Sequence, residues 1–310
     1  MTIRASTPQR FPAARVSALA FAAIVQALVV WAPPAAAQVR SFSTPEAAMA
    51  AFGDAVATSD DDALKRLLGT NNTDIIPPIG AQARYDFLSA WSRSHAIRRT
   101  DDGRAFVAVG SDGWTMPIPL VQGAQGWRFD ARGAAAEMRI RRIGRNEHAV
   151  MQVMLAIVDA QKEYAARDRN GNGIREYASR FVSTPGRKDG LYWPRSAAEP
   201  PSPLGPAIEA EREARRSADS AYYGYRYRLL DSQGPAAAGG RYDYVVNGRK
   251  VGGFAAIAWP ARYASTGVMT FIVNHDGIVF EKDLGPDTAA RAAAIGRFDP
   301  DATWLRADSQ

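Results

Sequence analysis

The chain offers three imidazoles, His95, His148 and His275, and no cysteine. Any acid–base or nucleophilic chemistry must therefore be built from histidine, carboxylates and hydroxyls. His275 lies in the most polar run of a β-rich stretch, Asn274-His275-Asp276-Gly277, with Glu281, Lys282 and Asp283 close behind. Together these residues could line a site, with His275 and Asp276 as its catalytic candidates. The same residues also read as a type I′ hairpin, with Asp-Gly supplying the positive φ angles and His275 facing solvent. His95 ends a helical stripe, with Asp86 and Asp101 or Asp102 within reach in sequence, and is a second candidate base. His148, beside Glu147, reads as an exposed helix residue. No H-E-x-x-H pair, G-x-S-x-G elbow or phosphate loop occurs. The Gly171-x-Gly173 pair follows a helix rather than a strand, which removes a dinucleotide reading. The catalytic candidates thus reduce to His275, Asp276 and His95, and no organic cofactor is implied.

One run has metal-ligand spacing. Asp168, Asn170, Asn172, Gly173, Ile174 and Glu176 match positions 1, 3, 5, 6, 7 and 9 of a calcium loop. They supply alternating oxygen ligands, a glycine turn and a backbone carbonyl. Position 12, where a bidentate glutamate belongs, is Ser179, and only two of the ligands are carboxylates. The run is either a calcium site or an Asn/Gly turn that stops a helix without metal. A second kind of site is aromatic. Tyr223, Tyr225 and Tyr227 alternate with Gly224, Arg226 and Arg228, and Trp193 closes a turn-rich segment. Such a stripe could form a binding surface, or lay its rings on a helix as core.

The element that must position these groups is an amphipathic helix from about Arg139 to Arg167. Ile143, Val150, Ile157 and Tyr164 recur every seven residues along it. Ahead of it, Thr44-Pro45-Glu46 starts a first helix, Asp60 or Asp61 a second, and Tyr85, Leu88, Trp91 and His95 mark a third. Short strands follow over 105–109, 114–121 and 127–130. After the long helix, strands are expected over 223–229, 242–246, 254–259, 268–273 and 278–282, with tight turns at Asn247-Gly248 and Asp276-Gly277. A short charged helix is expected near 208–218 and another over 287–295, with Phe298 and Trp304 docking the tail. The pattern predicts an α+β protein of two domains, 38–134 and 135–310.

Residues 1–37 read as an export signal. Arg4, Arg10 and Arg15 precede an apolar run from Val16 to Trp31, and Ala35-Ala36-Ala37 supplies a cleavage site. The apolar run is shorter than the roughly 20 residues a spanning helix needs. Removal leaves 273 of the 310 residues and lowers the formal charge from +6 to +3, because three arginines and no acidic residue depart. A cysteine-free exported chain of this size must rely on its core for stability. The periplasm is the expected compartment, with no membrane span after cleavage. The remaining positive charge is spread, apart from Arg139, Arg141, Arg142 and Arg145, which argues against nucleic acid as a partner.

Three resemblances can be stated on these residues. The helices leading into "WTMPIPLVQGAQGWRFD" resemble the NTF2-like fold, helices packed on a curled antiparallel sheet. From Arg142 onward, "RIGRNEHAVMQVMLAIVDAQKEY", "YYGYRYRLL" and "AAIAWPARYASTGVMTFIVNHDGIV" resemble the globular part of a type IV pilin or pseudopilin, a long helix packed on an antiparallel sheet. The apolar half-helix that pilins carry directly ahead of this segment is replaced by the basic Arg139-Ile-Arg-Arg142, so polymerisation through a membrane helix is not implied. Most of residues 41–305 also resembles domain of unknown function 2950. The pieces that carry this include "RRIGRNE", "YAARDRNGNGIREYASRFVSTPGRKDGLYWP" and "GVMTFIVNHDGIVFEKDLGPDT". That resemblance implies a secreted protein and brings no catalytic residues.

The function expected from all this is binding or assembly in the cell envelope without catalysis, with an envelope protein or cell-wall component as partner. The alternatives are a calcium-stabilised binding module and a hydrolase of cell-wall or glycan material. The hydrolase would be built on Asp168 and Glu176, or on Asp276 and Glu281, and would need its two carboxylates across a cleft.

Overall fold

A computed structural model describes residues 39–69, 81–169, 171–194, 201–205 and 221–307. The expected export signal, Asn170 and the expected helix near 208–218 lie outside the described residues. Mixed helices and antiparallel sheets bear out the α+β class.

Helix α1 (Pro45–Ala57) starts where the Thr44 hydroxyl accepts the Ala47 N–H at 3.1 Å, with proline at its first position. Asp60 caps α2 (Asp61–Leu68) in the same way, accepting from Ala63 N at 2.8 Å. With α3 (Ala81–Arg93) these helices cover a four-stranded antiparallel sheet of β1 (His95–Arg99), β2 (Ala105–Val109), β3 (Leu120–Gly123) and β4 (Gly126–Phe129), in that order. Two expectations fail here. His95 does not end the third helix but opens β1, a mostly exposed strand with Ile97 as its one half-buried residue, too short an apolar signal for periodicity to reveal. The expected strand 114–121 shrinks to β3, because Pro117 and Pro119 have no N–H for a ladder. Phe52 is the centre of this core, with Phe87, Trp91 and Phe129 ring centroids at 6.1, 6.5 and 5.6 Å.

Helix α4 runs 35 residues, Ala131–Ala165, roughly 50 Å at 1.5 Å per residue. It begins eight residues earlier than the apolar stripe suggested. The alanine-rich 131–136 carries little hydrophobic signal but strong helix propensity. Ala134 packs with the N-terminal core, whereas Val150, Met154, Ile157, Val158 and Tyr164 pack on the C-terminal sheet.

That sheet is antiparallel throughout, in the order β15 (Leu305–Arg306), β14 (Phe280–Asp283), β13 (Met269–Asn274), β12 (Ala255–Pro260) and β7 (Tyr225–Leu230). Alternation divides its side chains cleanly. Tyr225, Ala256, Ala258, Phe271 and Val273 meet α4. Leu230, Ala255, Ile257 and Ile272 meet Ala292 of α5 (Thr288–Ala294) and Phe298. Shorter pairs complete the half: β5 (Arg180–Val182) with β6 (Gly190–Tyr192), β8 (Ser232–Gln233) with β9 (Tyr242–Asp243), and β10 (Val245–Val246) with β11 (Arg249–Lys250). Positive φ at Asn247 (51°) and Gly248 (76°) makes the expected tight turn between β10 and β11.

Polar groups fasten α4 to the sheet. Glu147 accepts the backbone N–H of Val268 at 2.7 Å and of Met269 at 3.0 Å, and its carboxylate lies 3.3 Å from the Tyr225 hydroxyl. Asn146 donates to the Thr266 carbonyl at 2.8 Å. A Cβ on Gly267 would stand 2.0 Å from the Tyr225 hydroxyl oxygen, so only glycine fits there. Truncating Glu147 strands these donors in a partly buried seam. Glu147→Ala is therefore expected to lower unfolding free energy by about 2–4 kcal/mol, and Glu147→Gln by about half that, in urea denaturation at pH 7. An unchanged midpoint for Glu147→Ala would show that the seam does not hold the sheet.

Candidate functional site

The histidines are separately placed. His95 is exposed, stacked on Trp91 at 4.5 Å and 10°, with Nδ1 3.0 Å from the Trp91 carbonyl. Its expected acidic neighbours serve other partners. Asp102 accepts from the Thr100 hydroxyl and from Arg104, which hold its carboxyl below the ordinary value, and Asp86 accepts from Gln82. His148 is exposed on α4, and the adjacent Glu147 is committed to the sheet.

His275 departs from its expected place. Among Asn274–Gly277 only Gly277 has positive φ (78°), so the turn is wider than type I′. The ring is three-quarters covered, lying edge-to-face against Tyr244 (5.6 Å) and Phe254 (6.2 Å). Its Nε2 is 3.2 Å from the Tyr242 hydroxyl and 3.9 Å from Asp276, while the buried Nδ1 has no hydrogen-bond partner among the described residues. Asp276 itself accepts from the Asn274 amide at 2.9 Å. Glu281 faces α4, level with Phe271 in the ladder. The ring thus packs on Tyr242, Tyr244 and Phe254, while Asn274, Asp276 and Gly277 make the bonds of the turn.

The segment after α4 uses its oxygens on its own backbone. Asp168 accepts from Asn172 N at 3.3 Å and Gly173 N at 2.7 Å. Ile174 N donates to the Asn172 side chain, whose amide donates to Glu176. Ser179, at the twelfth position, directs its hydroxyl to the Asp189 carbonyl at 3.3 Å. Among the described residues no group of three or more His, Asp or Glu could hold a metal. These contacts make a turn that stops α4, while the buried Gln161 amide bonds both N–H and C=O of Ala178 and returns the chain to the helix.

The aromatic stripe divides. Tyr225 and Trp193 are buried in the α4 core, Tyr227 is partly covered beside them, and Tyr223 alone is exposed. Trp193 is sealed by Arg169 and Lys188, whose charges lie 5.4 and 5.8 Å from its ring. Helical packing has claimed the rings, so Trp193 and Tyr225 do not present a surface to a partner.

Among the described residues, one concavity lies on the other face of the C-terminal sheet. A cleft of about 410 Å³ opens between β14, the end of α5 and the tail. Ile272 and Leu284 form its floor and Trp304 a wall, and Lys282, Arg291 and Arg297 also line it. Lys282 bonds the Thr303 hydroxyl at 2.5 Å, with its ammonium 5.8 Å from the Trp304 ring. Asp299, the carboxylate of the lining, accepts the Ala236 N–H at 2.8 Å. Arg228 reaches across from β7 to the carbonyls of Ala292 and Ile295, both at 2.8 Å, and so caps the end of α5 beside the cleft. Sequence reasoning did not reach Arg291 and Arg297. They are two exposed arginines in a tail of alanines, with no motif to distinguish them from solvated charge.

Fold and site together describe an α+β protein whose second sheet carries a helix on one face and a cationic cleft on the other. The chain belongs to the family described as protein of unknown function DUF2950, which matches residues 39–307. No curated protein and no solved structure matches it.

A pH dependence follows from the loop between β5 and β6. Burial alone would raise the Asp189 carboxyl. The Thr184 N–H and hydroxyl, both at 2.8 Å, and Arg180 outweigh burial and hold the carboxyl below its ordinary 3.8. A depressed folded value means stability present above the unfolded value and lost as pH falls through the folded one. Asp189→Asn should therefore lower the melting temperature at pH 7, with the gap to wild type closing below about pH 4. A gap independent of pH would contradict this.

Proposed function

We propose that this is an exported protein of the cell envelope, periplasmic in its final location, that works by binding an envelope component and catalyses no reaction of its own. The observation that carries this reading is the Lys282–Arg291–Arg297 cleft with its apolar floor. It has the concave form and convergent polar groups of a ligand site. The acid–base candidates His95 and His275, in contrast, sit in separate aromatic settings. Export is supported by the basic, apolar and small-residue order of 1–37. Among the described residues no helix is long and apolar enough to cross a membrane. A long helix laid on an antiparallel sheet supports kinship of the C-terminal half with pilin heads, and three helices on a four-stranded sheet support an NTF2-like N-terminal half.

The test is site-specific photo-cross-linking in cells, with the reactive side chain placed at Ala294 in the cleft or at the exposed Tyr85 on α3. A discrete envelope adduct from position 294, absent from position 85, is expected. Indistinguishable adducts from both positions would contradict the reading. So would turnover of cell-wall material that disappears in His275→Gln.

A further inference from the structure

Resting on that binding reading, we infer that the cleft takes a small organic oxyanion, a carboxylate or phosphate ester joined to a ring or other flat apolar body. Three cations line the cleft against one carboxylate, and that carboxylate is already engaged with the Ala236 N–H. Arg291 and Arg297 are exposed and have no ion-pair partner among the described residues, so their guanidinium groups are available to an oxyanion. The end of α5 would normally place partial negative charge beside the cleft. Arg228 occupies those carbonyls and offsets that partial charge, which leaves the Asp299 carboxylate as the negative charge of the lining against three cations.

The rest of the lining selects what the charge is attached to. Ile272 and Leu284 are buried and apolar, and the half-buried Trp304 gives a flat wall suited to stacking a ring. The volume of about 410 Å³ is at the lower end for small-molecule sites, which fits one ring with its charged group rather than a polymer segment. Thr270 stands opposite Lys282 in the β13–β14 ladder, on the Ile272 face of the sheet. Its buried hydroxyl has no partner among the described residues, which leaves a polar atom unused beside the cationic side of the floor.

The experiment is calorimetric titration of the purified protein at low salt with four probes: phenyl phosphate, benzoate, inorganic phosphate and benzyl alcohol. One of the two ring-bearing anions is expected to bind at least tenfold more tightly than inorganic phosphate or benzyl alcohol, and the tighter of the two assigns the head group. Arg291→Gln/Arg297→Gln should weaken that binding tenfold or more without moving the melting temperature, since both side chains are exposed. Trp304→Leu should erase the preference for the ring while leaving inorganic phosphate unchanged. No saturable binding by any probe, or equal affinity in the double arginine variant, would overturn the inference. If those results came with a cleft-specific adduct at Ala294, the ligand class would fall and the binding reading would stand. Loss of the adduct together with absent titration would sink both.

Discussion

The C-terminal half depends on how a single carboxylate closes the seam between helix and sheet. Glu147 leaves α4 halfway along its length and takes two adjacent N–H groups where the chain enters β13. Without the carboxylate these two N–H groups, in a half-buried seam, would lose their side-chain acceptor. Asn146 binds the preceding carbonyl, and Tyr225, from the far edge of the sheet, reaches the same carboxylate. Burial pushes the Tyr225 hydroxyl well above its usual range, with the Glu147 charge adding to the effect, so it stays protonated and donates. Two strands, β13 and the edge strand β7, are thereby tied to one helical position, beside the apolar contacts of Val150, Met154 and Ile157.

This seam has a consequence on the opposite face. With one side of the sheet occupied by α4, the other is covered by the seven-residue α5, Phe298, the tail and the 237–244 segment with the buried Tyr244. The cleft lies at the edge of this cover, above the buried Ile272 and Leu284, with Trp304 of the tail in its wall. Arg291 and Arg297 are exposed, so the fold bears little desolvation cost to keep them there. A site of this kind is preformed by packing and needs no closing motion.

What could be read from the residues follows the same division. Apolar period was legible, and it located the long helix, the core strands and the docking of Phe298 and Trp304. It failed where structure is made by polar or neutral residues. The alanines of 131–136 extend α4 without an apolar stripe, β1 is a mostly exposed strand beginning at His95, and two prolines cut the expected strand 114–121 to β3. The aromatic candidates are placed by the same packing: Trp193 and Tyr225 are buried in the helix–sheet core, and His275 is three-quarters covered beside Tyr244. The cleft was not legible, because its members come from two strands, a helix end and the tail, and converge only after folding.

The most direct test of this account is amide hydrogen exchange at Val268 and Met269 in the native protein. If Glu147 is the fastening on which the sheet depends, these amides exchange only through global unfolding, as slowly as Ile272 in the centre of β13. Exchange as fast as at the exposed Asn247-Gly248 turn would show the seam open in solution, and the account would fail at its base.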